Sequence, residues 1–100
     1  MSRAVRITRQ FREQQNATYE LDCSGLPLAI RIFAPVDDST TSAWRVEMSG
    51  ADVVISASAA SRALAFDLMI ERWGGSDASG AYKALDWQAI RSALGISRAY

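Results

Sequence analysis

Residues 17–35, ATYELDCSGLPLAIRIFAP, hold two runs in which apolar and polar side chains alternate around a short turn. A period of two sends successive side chains to opposite faces of a strand. Tyr19, Leu21 and Cys23 then share one face, with Thr18, Glu20 and Asp22 on the other. SGLP (24–27) turns the chain back, and the pattern resumes with Leu28, Ile30 and Ile32 opposite Ala29, Arg31 and Phe33. A helix would scatter these residues around its circumference. The stretch therefore reads as a β-hairpin with one apolar face, and the rest of the fold is built around it.

Downstream, Pro35 opens a polar loop, and AWRVEM (43–48) repeats the alternation with Trp44, Val46 and Met48 inward and Arg45 and Glu47 outward. SGAD (49–52) makes another turn before the short strand VVIS (53–56). Upstream, residues 4–11 are rich in β-branched side chains and read as a strand with Val5, Ile7 and Phe11 on one face. Ala4, Ile7 and Phe11 also fit helical spacing, so both conformations stay open for this segment.

Beyond residue 58 the period changes. Ser58 is placed to cap AASRALAFDLMIERW (59–73), which runs into Gly74 and Gly75 as a helix C-terminus should. At about 100° per residue, Ala63, Phe66, Met69, Ile70 and Trp73 form one stripe that should cover the apolar sheet face. Ile30, Ile32, Trp44, Val46, Phe66 and Ile70 are accordingly expected to be buried together. After a glycine- and serine-rich loop (74–83), Asp86 caps WQAIRSAL (87–94), which Gly95 ends. The expectation is a single α+β domain over residues 1–100. Four or five antiparallel strands, a meander by preference, have one face covered by a main helix and a short C-terminal helix, in the order β-β-β-β-(β)-α-α.

Composition removes several chemistries. The chain has no His, which takes away the commonest metal ligand, the usual general base and every Ser-His or Cys-His pair. Cys23 is the single cysteine, so neither an intramolecular disulfide nor a cysteine zinc site can form. Asp37 and Asp38 adjoin each other in a Ser/Thr-rich loop, where Asp is ordinary turn chemistry. The 74–83 loop lacks the GK[ST] ending of a phosphate loop. No catalytic residue, metal site or cofactor is expected. Neither a signal peptide nor a transmembrane stretch is visible, so the expected location is cytoplasmic, with no membrane partner.

The 11 basic and 11 acidic residues cancel, whereas a nucleic-acid-binding domain usually carries a basic excess. The charge is nevertheless uneven, because Arg3, Arg6, Arg9 and Arg12 precede the first acid, Glu13. In a regular strand Arg6, Thr8, Gln10 and Arg12 would line one face, making Arg6 and Arg12 the candidate anion or nucleic-acid contacts. An arginine-rich edge strand equally serves to block sheet-to-sheet aggregation.

Leu64 and Leu68 lie opposite the helix stripe and need cover. Packing against Trp87, Ile90 or Leu94 is expected, with any remaining apolar area forming a homodimer contact. The functional expectation is a small non-catalytic interaction domain that binds a protein partner or itself. The alternative is a nucleic-acid-binding module working through the N-terminal arginines.

Overall fold

The alternating segments pair in chain order into one antiparallel sheet of five strands, β1 to β5. A computed structural model describes residues 5–14, 16–35, 43–76, 78 and 80–96. The strands are β1 (Val5–Glu13), β2 (Asn16–Cys23), β3 (Leu26–Phe33), β4 (Trp44–Gly50) and β5 (Val53–Ala59). They are followed by α1 (Arg62–Gly74), a 3₁₀ turn (Gly80–Lys83) and α2 (Trp87–Leu94). This is the expected α+β order with the fifth strand present, and the N-terminal segment is a strand. Each neighbouring pair is antiparallel, so the sheet is a meander with β1 and β5 at its edges.

Tyr19, Leu21, Leu28, Ile30, Ile32, Val46 and Met48 are buried on the inner face. Against them α1 lays Ala65, Phe66, Met69 and Trp73, all essentially inaccessible, while crossing β4 and β5. Ile30, Ile32, Val46 and Phe66 are fully buried as expected; Trp44 and Ile70 are half-buried against the same cluster. The buried stripe of α1 is thus rotated from Ala63 and Ile70 toward Ala65.

The start of α1 also differs from the sequence reading. Ser58 is not its cap; it sits in β5 opposite Arg45, and Ala59 pairs with Trp44. A strand that matches the full length of β4 satisfies more ladder hydrogen bonds than an early helix would. The cap is Ser61, extended at φ −132° and ψ 157°, whose hydroxyl accepts from the Leu64 amide at 3.1 Å. At the second helix the reading holds. The Asp86 carboxylate accepts from the Ala89 amide at 3.1 Å, and Gly95 ends α2 at φ 70°, a left-handed conformation suited to glycine.

The connection between the helices is tied down at both ends. Trp73 Nε1 donates to the Tyr82 carbonyl at 2.9 Å, and the Tyr82 hydroxyl donates to the Pro27 carbonyl at 3.2 Å. Lys83 donates from Nζ to the carbonyls of Gly74 and Ser76, placing a cation at the C-terminus of α1. Gly50 admits the Tyr82 ring, since a Cβ there would lie 3.1 Å from Tyr82 Cε1 and 2.6 Å from Leu28 Cδ2.

Candidate interaction surfaces

The first strand departs from regular alternation at one residue. Ile7 pairs with Leu21 and Arg9 with Glu20, which leaves Thr8 as an extra residue, a β-bulge. Its hydroxyl donates to the Glu20 carbonyl at 3.1 Å. Paired residues in an antiparallel ladder share a face, and one inserted residue exchanges the faces of everything after it. Arg6, opposite Asp22, therefore lies on the outer face, whereas Arg12, opposite the buried Ala17, lies on the inner side. The expected common face of Arg6, Thr8, Gln10 and Arg12 does not form. Phe11 likewise leaves the side of Val5 and Ile7 and stands on the outer face opposite Thr18, 49% exposed.

The outer face is a charge ladder. Arg6 meets Asp22 at 3.2 Å, Arg9 meets Glu20 at 3.8 Å, and Glu47 receives Arg31 at 3.2 Å and Arg45 at 3.6 Å. Exposed pairs of this kind add little stability, but they occupy the arginines. Two of those arginines also stack on aromatic rings, Arg9 over Phe11 at 4.6 Å and Arg45 over Phe33 at 4.7 Å. An open groove of about 560 Å³ lies near the β4–β5 turn, lined by the outer row Glu20, Ala29, Ser49 and Val54 and reaching Gly50 and Tyr82. It is broad and lined by both apolar and acidic residues.

The two sheet edges differ. On β5 the carbonyl of Ser56 accepts from Arg72 Nη1 at 2.8 Å, so α1 partly caps that edge. On β1, eight of the nine residues are exposed along a strand whose only sheet neighbour among the described residues is β2.

Leu64 and Leu68 are both half-buried, and Leu68, unlike Leu64, packs against the core. The helix expected to cover them meets α1 at Phe66 and Asp67. There Phe66 meets Trp87 edge-to-face at a centroid distance of 6.4 Å, and Asp67 is bound by Arg91. At about 100° per residue, Leu68 instead lies beside Arg72, on the flank facing β5. The described contacts between the helices run through Phe66 and Asp67, and none of them involves Leu64 or Leu68. The docking sides were set by β1, which α2 touches, and by the reach of Arg72 to β5.

Cys23 is buried, and burial pushes its thiol pKa up, with the neighbouring carboxylates of Asp22 and Asp86 adding to the effect. Such a thiol stays protonated and is a poor nucleophile. Asp37, Asp38 and Arg3 fall outside the described residues. No helix among the described residues is long and apolar enough to cross a membrane. Comparisons with protein-family models, curated proteins and solved structures find no match.

Proposed function

We propose that this chain is a small non-catalytic interaction domain that binds a protein partner or a second copy of itself along the free edge of β1. The observation that carries this reading is a nine-residue strand, exposed at eight positions, with one side of its backbone unpaired among the described residues. Such an edge offers a row of amide and carbonyl groups to an incoming strand, and β-augmentation uses those groups for affinity. The absence of His and the buried, protonated Cys23 both argue against nucleophilic or acid–base chemistry.

The nucleic-acid reading draws less support from the geometry. Arg6 is engaged by Asp22, and Arg12 points to the other side of the sheet. Acidic partners accompany the outer arginines of the sheet, which leaves no continuous basic track for phosphates among the described residues.

A photo-crosslinking residue placed at Gln10 and, separately, at Ser58 on the outer face tests the edge reading in cells. Adducts confined to Gln10 are expected. Adducts from Ser58 with none from Gln10 would overturn it.

A further inference from the structure

The regular part of the β1 edge is short and bounded. Thr8 bulges on one side, and Gln14 turns away at φ 56° on the other, leaving Arg9–Glu13, RQFRE, as an uninterrupted strand. Within it Arg9, Phe11 and Glu13 share the outer face, while Gln10 and Arg12 share the inner side, as their partners on β2 require. This segment is complementary to itself in antiparallel orientation. When Phe11 is set opposite its own copy, Arg9 falls opposite the partner's Glu13 and Gln10 opposite the partner's Arg12. Each of these pairs lies on one face.

We infer that two copies of this chain pair through Arg9–Glu13, on a two-fold axis at Phe11, to join their sheets into one. The inference rests on the edge reading above and specifies its occupant. The two Arg9–Glu13 pairs are of opposite charge, and opposite charges directly across strands stabilise pairing, whereas like charges oppose it. Other registers do worse. Centring the axis on Arg9 would set Arg9 against its own copy and Arg6 against Arg12. Phe11 gains most from the contact: it is half exposed in one copy and meets an identical ring in the pair. Arg9 already lies between Glu20 and the Phe11 ring, so its guanidinium is held where the partner's Glu13 would arrive. An axis normal to the sheet keeps the helices of both copies on the same side, and the interface is isologous.

Sedimentation of the purified full chain from micromolar to millimolar concentration reads the association. A monomer–dimer equilibrium is expected. Glu13→Arg should weaken it about tenfold, and the double charge swap Arg9→Glu with Glu13→Arg should restore it. Phe11→Cys should form a disulfide-linked dimer on mild oxidation, because a residue on the axis faces itself, whereas Arg6→Cys, beyond the bulge, should not. A chain that stays monomeric throughout overturns the self-pairing and leaves the edge reading to the Gln10 crosslinks. A dimer indifferent to both the Glu13 change and its rescue overturns the self-pairing and places association away from this edge.

Discussion

Asp67 on α1 and Arg91 on α2 form the ion pair that fastens the two helices together, and the same guanidinium lies 5.1 Å over the Phe66 ring. Both side chains are largely shielded, at 12% and 26% exposure for Arg91 and Asp67, so solvent screens this pair less than those of the outer sheet face. Replacing Arg91 with Ala strands a partly buried carboxylate. The expected loss is about 1–3 kcal/mol in chemical denaturation, with the fold retained. A change below about 0.5 kcal/mol would mean that α2 docks through its apolar residues alone.

Phe66 is the largest wholly inaccessible side chain on α1 after Trp73, and it touches both the sheet core and Trp87. Phe66→Ala should cost about 3–5 kcal/mol, from lost burial together with the cavity left behind. Denaturant titration with an unchanged slope would attribute the loss to the native state.

Gly50 tests the seat of Tyr82. A methyl group there would press into Leu28 Cδ2, and Leu28 is itself only 3% exposed, so its side chain has little room to yield. Gly50→Ala should destabilise by about 1–3 kcal/mol. The same change combined with Leu28→Val should recover part of that, read by thermal melting. Recovery would assign the cost to this contact and not to strand propensity.

Leu64 and Leu68 should separate. Leu68→Ala should cost about 1–2 kcal/mol because its side chain adjoins the core, whereas Leu64→Ala should cost under about 1 kcal/mol. Equal losses would show that both leucines are covered by the same neighbours. The measurement is the unfolding free energy at a single protein concentration.

The buried thiol gives the fold a pH dependence with a definite sign. Burial, helped by Asp22 and Asp86, raises the folded-state pKa of Cys23 above its ordinary 9.0. Above that ordinary value the unfolded chain gives up the thiol proton while the folded chain keeps it, so stability falls as pH rises. The contribution is fully present below the ordinary thiol pKa and declines through the alkaline range. Cys23→Ser should flatten the alkaline slope of unfolding free energy against pH.

The hairpin of residues 17–35 carried its own answer, since strict alternation specifies both the strands and the face that each side chain takes. The Asp86 cap and the Gly95 stop were legible for a similar reason: each depends on the chemistry of one residue and its near neighbours. The short connections between alternating strands favoured a meander, because antiparallel neighbours are the natural product of hairpin-length loops, but the strand order itself was given by the folded sheet.

Position on the β1 edge was not legible in this way. The Thr8 bulge leaves no mark in composition or period, because its cause is the ladder that β1 makes with β2. That single unpaired residue reassigns Arg12 and Phe11 to new faces. The extent of β5 was hidden similarly, with Ser58 a plausible helix cap until the length of β4 drew it into the sheet. The flank on which α2 meets α1 came from contacts between residues far apart in the chain, Asp67 with Arg91 and Arg72 with Ser56. Local periodicity fixed the type of the strongly patterned strands and helices, though not of residues 4–11 or the end of β5, because it depends on a few successive dihedrals. Register, bulge and docking side depended on pairings across the molecule, and only the folded chain could decide them.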